Sequence, residues 1–151
     1  TGNTLVLFNY VERHGMPLFE MINNKVGEDR LVFLVHGGVD TEDREKAREI
    51  AETTNNSIIV ASYGTFSTGI NIRNLHNVVF ASPSKSKIRN LQSIGRVLRK
   101  GDHKAKAVLY DIADDISKGS SRNYTLNHLV ERVKIYNEEN FDYEFIDVRI
   151  K

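Results

Sequence analysis

Short apolar runs alternate along this 151-residue chain with stretches of helical periodicity. Continuous apolar runs are typical of strands that are buried on both faces of a parallel sheet. The stretches between them repeat apolar residues every three or four positions, as amphipathic helices do. The alternation therefore predicts an α/β fold, a parallel sheet flanked by helices on both faces. The predicted strands are Thr4–Phe8, Arg30–Val35, Ser57–Ala61, Asn77–Ala81 and Ala105–Ile112.

Helical spacing is clearest over Val11–Val26 and Leu126–Asn137. A further helix is predicted to follow Thr41, whose hydroxyl we expect to cap it. Lys87–Arg99 is a fourth predicted helix, and the alternating segment Phe141–Ile150 predicts an edge strand. With no convincing linker, we expect residues 1–151 to form one domain.

Composition narrows the classes of protein that fit. Apolar residues make up 40% of the chain and charged residues 27%, as in globular proteins, and no apolar run is long enough to span a membrane. The chain has no cysteine, which excludes disulfides, thiolate metal sites and a cysteine nucleophile. This composition fits a reducing compartment, so we expect a cytoplasmic protein without a membrane partner.

The net charge is only +1, but the charged residues are unevenly distributed along the chain. Residues 85–106 contain eight Lys or Arg residues against one Asp, whereas acidic residues outnumber basic ones on both sides. We call residues 85–106 the basic segment. Positive charge concentrated in one place favours a polyanionic partner such as a nucleotide or nucleic acid. A lysine-rich helix flank that only keeps the protein soluble is the alternative.

Polar segments follow the predicted strands, at the sheet edge where ligands of such folds bind. They include Asn9–Tyr10, His36–Gly38, Ser82–Ser84 and Ser62–Asn71. The last is rich in hydroxyl groups, Gly69 would allow a ligand to approach the backbone closely, and Asn71 could bond a ribose hydroxyl. Taken alone, the segment fits a polar crossover that satisfies its own turn hydrogen bonds better than a ligand site.

The segment Gln92–Arg99 has the spacing Q-x-x-G-R-x-x-R within the fourth predicted helix. At 100° per residue, Gln92, Arg96 and Arg99 fall within roughly a 60° arc. Two guanidinium groups held in a row suit the stabilisation of charge on a transferring phosphoryl group. The alternative is an ordinary helix end, with cations in the last turn followed by the glycine at position 101.

No G-x-x-x-x-G-K-[ST] segment is present, so the chain lacks a phosphate-cradling P-loop. Its histidines and carboxylates show no metal-ligand spacing, and we assign no metal site. The chain thus offers arginines for phosphoryl transfer without a cradle for a triphosphate, which is half of an active site.

Together, these segments resemble the second RecA-like domain of superfamily 2 helicases, in order and over most of the chain. Leu5–Tyr10 resembles motif IV, Ser62–Asn71 resembles motif V, and Gln92–Arg99 resembles motif VI. His36-Gly37, followed by Arg44, resembles a further segment of that family.

The resemblance implies a RecA-like fold and an ATP-dependent helicase or translocase that acts on branched DNA or RNA–DNA hybrids in recombination, repair and replication. ATP and Mg²⁺ would be held mainly by a missing amino-terminal RecA-like domain in the same polypeptide, and this chain alone would be inactive. It implies arginine fingers at Arg96 and Arg99, nucleotide contacts at Gly69, Asn71 and Gln92, and nucleic-acid contacts at Asn9, His36, Gly37, Ser62 and Tyr63.

A second hypothesis is a non-catalytic RecA-like module that binds nucleic acid or an anionic partner. The two differ in whether the natural polypeptide continues, before residue 1, into a domain with a P-loop and an acidic magnesium motif. The absence of an initiator Met and the strand that begins at Thr4 lead us to expect that it does.

Overall fold

The computed structural model describes residues 2–67, 72–82, 107–116, 119 and 123–149. The chain divides into two compact units, Thr1–Ile112 and Ala113–Lys151. The first unit contains a sheet that has five parallel strands within the described residues, in the order β2-β3-β1-β4-β5. These strands are β1 (Thr4–Phe8), β2 (Leu31–Val35), β3 (Ser57–Ser62), β4 (Asn77–Phe80) and β5 (Val108–Asp111).

One face of the sheet packs against the first helix. The chain leaves β1 through a π-helical turn, Val11–Gly15, that continues into α1 (Met16–Lys25). Val6 and Phe8 of β1 form a buried cluster with neighbouring β3 side chains, and apolar residues of α1 pack against it. The α1 residues in this contact are Leu18, Phe19 and Ile22.

The second helix, α2 (Thr41–Thr53), buries Ala47 and Ala51, and a short third helix, α3 (Tyr63–Ser67), follows β3 directly. The first crossover moves outward across the sheet from β1 to β2, and the second returns from β2 to β3. Right-handed crossovers of this kind place α1 and α2 on opposite faces of the sheet. The predicted parallel sheet with helices on both faces is confirmed.

Helix α2 begins one residue before the prediction. The amide of Arg44 donates to the carbonyl of Asp40, so Asp40 occupies the N-cap position and the predicted capping role of Thr41 is wrong. The Thr41 hydroxyl instead accepts a hydrogen bond from Arg44 Nη2 at 3.0 Å. The outer surface of α2 is solvated: its Arg48 guanidinium hydrogen-bonds Glu45 and lowers the pKa of that carboxyl.

A polar network closes the amino-terminal edge of the sheet. Asn3, which is 1% exposed, donates through Nδ2 to the carbonyls of Ala51, Thr54 and Asn74. Its Oδ1 accepts hydrogen bonds from the amide and hydroxyl of Ser57. The Asn3 side chain thus ties β1 to the end of α2 and the start of β3.

The second unit is built around α4 (Tyr124–Glu138), which buries Arg132 and Tyr136. Asn140 follows the C-cap of this helix with a left-handed φ of 54°, and the amide of Phe141 donates back to the carbonyl of Tyr136. The predicted edge strand over 141–150 is wrong for its described residues, 141–149, which pair with no strand. Aromatic side chains of this segment contact the end of α4 instead.

Candidate nucleic-acid interface at the carboxyl edge of the sheet

The carboxyl edge of the sheet brings together residues from four strands. In sheet order, His36 follows β2, Ser62 ends β3, Asn9 follows β1 and Ser82 follows β4. Neighbouring strands lie about 4.8 Å apart, so this row spans roughly 15 Å. Three of these residues, Asn9, His36 and Ser62, are predicted site residues, and the parallel register aligns them along one edge.

Asn9 and Ser82 form a two-bond clamp between β1 and β4. The Asn9 amide donates to Ser82 Oγ at 2.8 Å, and Asn9 Nδ2 donates to the Ser82 carbonyl at 2.5 Å. Both residues are half-buried. Ser82 belongs to the polar segment Ser82–Ser84 that the sequence places after the fourth predicted strand, although the resemblance assigns it no contact.

The β3 end continues into a short helix, α3 (Tyr63–Ser67), which the sequence indicated only as a polar segment. Ser62 Oγ lies 2.8 Å from Thr65 Oγ1 and accepts a hydrogen bond from the Thr65 amide at 3.3 Å. Tyr63 is 2% exposed, and its ring centroid lies 5.8 Å from that of Phe80 in β4. The Tyr63 ring is therefore part of the core, which leaves its backbone as the part available for a nucleic-acid contact.

The His36–Gly38 turn follows β2 at the edge of the sheet. The His36 carbonyl accepts from Val39, and His36 Nδ1 accepts from the Gly38 amide at 3.1 Å. Gly37 is exposed, and a Cβ at that position would contact nothing within 4 Å. The ring of His36 is thus held by the local backbone, and Gly37 leaves the backbone beside it open.

Among the described residues of this edge that carry an aromatic ring, Tyr10 is the most exposed, with 62% of its surface accessible. Its carbonyl accepts hydrogen bonds from both His14 and Gly15, which defines the π-helical turn. The rings of Tyr10 and His14 meet edge to face, with centroids 5.3 Å apart and planes at 67°. Turns of this kind occur frequently at functional sites.

The other predicted site residues lie outside the described residues. They are Gly69, Asn71, Gln92, Arg96 and Arg99, and the whole of the basic segment lies outside as well. Phe66 and Ile72, which lie before and after the segment 68–71 that contains Gly69 and Asn71, are both buried.

Among the described residues, no group of three or more His, Cys, Asp or Glu side chains could hold a metal ion. Within the same ranges, no helix is long and apolar enough to cross a membrane. The described edge instead offers amide, hydroxyl, imidazole and aromatic groups. These groups suit contacts to a sugar–phosphate backbone and to bases.

This fold and edge define the class of the protein. Residues 1–101 match the helicase conserved C-terminal domain family, and the chain belongs to that family. It is similar to the ATP-dependent DNA helicase uvsW of Enterobacteria phage T4, with 42% identity over an alignment covering 93% of this chain. The chain spans only 29% of the length of that relative.

Solved structures agree on the fold. The crystal structure of T4 UvsW matches 95% of this chain with a TM-score of 0.74, and the chain covers 30% of it. The C-terminal domain of the DEAD-box protein Dbp5 matches 91% of this chain at 17% identity and a TM-score of 0.65, with 71% of that domain covered. Mss116p helicase domain 2, bound to an RNA duplex, matches 73% of this chain at 16% identity with a TM-score of 0.56, and 42% of it is covered.

Proposed function

We propose that this chain is the carboxyl-terminal lobe of a cytoplasmic ATP-dependent DNA helicase or translocase that acts on branched DNA or RNA–DNA hybrids in recombination, repair and replication. Its partner in the same polypeptide is an amino-terminal RecA-like domain that carries the P-loop and the magnesium ligands. The observation that carries this proposal is the 42% identity to an ATP-dependent DNA helicase over 93% of the chain.

The basic segment provides the charge that the proposal requires. Arg96 and Arg99 act as arginine fingers, because guanidinium groups grip phosphate oxygens in pairs and retain their charge at any physiological pH. Gln92, Gly69 and Asn71 support the nucleotide. ATP, when bound, supplies the phosphoryl group whose transfer to water releases the free energy for movement along the nucleic acid.

The described edge provides the nucleic-acid side. Asn9, His36, Gly37 and Ser62 lie at strand ends on this edge, and Tyr63 joins them through its backbone. Backbone amides, hydroxyls and imidazoles at strand ends hydrogen-bond phosphate and sugar oxygens without reading the sequence. A translocating enzyme needs such contacts, since it must step along strands of any sequence.

The test is Arg99→Lys in a two-domain protein that contains this chain. Lysine keeps the positive charge and can still interact with the carbonyl groups at a helix end, but it lacks the planar guanidinium group that binds two phosphate oxygens at once. Removal of an arginine finger costs about 10³–10⁵ in turnover, or roughly 4–7 kcal/mol of transition-state stabilisation. A role at the helix end would be worth only about 0.3–1 kcal/mol, and lysine would preserve it.

DNA-stimulated phosphate release measures the effect, with Arg48→Lys on α2 as the matched control. Arg48 is half-buried and pairs with Glu45 of the same helix, so this variant should retain normal turnover. We expect Arg99→Lys to abolish turnover and leave DNA binding intact. Turnover near that of the unsubstituted protein would return Arg99 to the helix-end interpretation and leave Arg96 to act alone, whereas absence of turnover in the unsubstituted two-domain protein would favour the non-catalytic module.

A further inference from the structure

An exposed tyrosine stands beside the Asn9–Ser82 clamp. Tyr10 follows Asn9 directly, and 62% of its surface is accessible. Single exposed apolar side chains are common and carry no meaning by themselves. Tyr10 differs from them because it lies at the carboxyl edge of the sheet, adjacent to a proposed nucleic-acid contact, and because its position is fixed.

Three contacts fix the position of Tyr10. Its carbonyl accepts from the amides of His14 at 2.9 Å and Gly15 at 3.0 Å, so the π-helical turn starts at this residue. Its ring meets the His14 ring edge to face at 5.3 Å. The turn is itself pressed onto the core, because a Cβ on Gly15 would lie 2.4 Å from the ring of the fully buried Phe8. An exposed ring that is already ordered loses little conformational freedom when a ligand stacks on it.

We propose that Tyr10 is a stacking platform for an unpaired base of single-stranded nucleic acid. This inference rests on the proposed function and specifies the substrate of the same edge as a strand with accessible bases. An aromatic ring stacks on every base, because every base has a π-face, so the contact tolerates any sequence.

The surrounding charges favour a base over a phosphate as the group that Tyr10 contacts. Glu12 and Arg13, both exposed on the same turn, offset each other in formal charge. A phosphate would gain little at such a place, since phosphate affinity depends on uncompensated Lys and Arg residues. The affinity for a neutral base does not depend on uncompensated positive charge, so a base can bind there.

The test compares the binding of two single-stranded probes to the 151-residue chain by fluorescence anisotropy. The first probe is a labelled oligodeoxythymidylate, and the second is a strand of equal length with abasic residues at its centre. We expect Tyr10→Ala to weaken binding of the first probe by about 5- to 150-fold and to leave binding of the second unchanged. Tyr10→Phe keeps the ring and should bind both probes normally.

The chain offers a matched control in Tyr124, which is 77% exposed and meets His128 edge to face at 4.4 Å. Tyr124 and His128 are four residues apart, as Tyr10 and His14 are, but this second pair lies on α4 rather than at the sheet edge. Tyr124→Ala should bind both probes as the unsubstituted chain does. Thermal unfolding of every variant checks that Tyr10→Ala is folded, as expected for an exposed side chain.

The failures of the two proposals are distinguishable. Equal binding of the thymidylate probe by Tyr10→Ala and the unsubstituted chain would overturn the stacking role and leave the nucleic-acid function standing. A similar loss for the abasic probe, or for Tyr124→Ala, would also overturn it, because the effect would not depend on a base at this edge. Absence of binding to either probe by the unsubstituted chain would overturn the stacking role together with the nucleic-acid function.

Discussion

Gly15 joins the π-helical turn to α1 and lies against the ring of Phe8. Its φ of −65° and ψ of −51° are ordinary helical values, so alanine can adopt the backbone without strain. The obstacle is space. An ideal Cβ at Gly15 would lie 2.4, 2.5 and 2.8 Å from three carbons of the Phe8 ring. We therefore predict that Gly15→Ala destabilises the protein, although alanine normally stabilises helices.

The size of the effect follows from two opposing terms. Carbon atoms pack at about 3.5–4.0 Å, so the ring or the helix must move by roughly 1 Å. Phe8 is completely buried in the β1–β3–α1 cluster and has no solvent to move into. Overpacking of this kind costs about 1–3 kcal/mol, whereas replacing glycine by alanine in a helix gains up to about 1 kcal/mol.

A second glycine isolates the overpacking term. Gly64 lies in α3, and a Cβ there would contact nothing within 4 Å, so Gly64→Ala carries the helical gain without the clash. The two variants should therefore differ by about 1–3 kcal/mol, with Gly15→Ala the less stable. For a chain of this length the melting temperatures should differ by about 2–12 °C.

Urea and thermal unfolding followed by circular dichroism measure both variants. A double-mutant cycle with Phe8→Leu tests whether the cost of Gly15→Ala arises at the Phe8 ring. The smaller side chain should relieve part of that cost, with a coupling free energy of about 1 kcal/mol or more between the two positions. If Gly15→Ala and Gly64→Ala proved equally stable, or if the cycle showed no coupling to Phe8, the close packing of the turn on the core would be refuted.

Three further predictions concern other parts of the chain. Asn3→Ala should lower the free energy of unfolding by about 2–4 kcal/mol, because it leaves buried backbone groups at the amino-terminal edge without their hydrogen-bond partner. Asn23→Ala, on the exposed surface of α1, should change the same free energy by less than about 0.5 kcal/mol. Urea titration measures both variants. Gly38→Ala should displace the His36 ring, whose Cε1 would lie 3.0 Å from the new Cβ, and shift the ring's NMR signals, which Gly37→Ala should leave in place. The chain alone should release no phosphate from ATP with Mg²⁺ present, and robust hydrolysis would contradict the half-site interpretation.

Apolar runs predicted the sheet because the signal for a buried strand is local. Thr4–Phe8 matches β1 at both ends, and the third predicted strand differs from β3 only by Ser62. The failures lie where distant or competing contacts decide the outcome. The alternating pattern after residue 140 suits a strand, but in the described residues it finds no strand to pair with, and Tyr143 contacts Tyr136 on α4 instead.

The sequence located the candidate site but did not resolve the role of each side chain. The rule that ligands bind beyond the carboxyl ends of parallel strands brought Asn9, His36 and Ser62 to one edge. It cannot distinguish an exposed ring from a buried one, since Tyr10 and Tyr63 are each the second residue after a predicted strand. The burial of Tyr63 depends on Phe80, which is 17 positions further along the chain (80 − 63). The exposure of Tyr10 depends on a π-helical turn that leaves no recognisable sequence pattern.

The separation between a neutral edge and a charged segment leads to a last prediction, on how salt affects binding. The groups of the described edge are largely uncharged, whereas the basic segment has eight cations against one Asp. If two arginines face ATP, at most six cations contact the strand, and the slope of log affinity against log salt should be no steeper than about −4.

Tyr10→Ala removes a stacking contact, so it should lower the affinity for oligodeoxythymidylate by a constant factor at every salt concentration, which gives a parallel line. Lys87→Ala should instead make the slope shallower by roughly 0.7, because one fewer counterion contact is released from a single strand. Anisotropy titrations at four or more salt concentrations measure both lines. A change of slope on Tyr10→Ala would mean that this residue acts through the phosphates after all, and an unchanged slope on Lys87→Ala would place Lys87 outside the path of the strand.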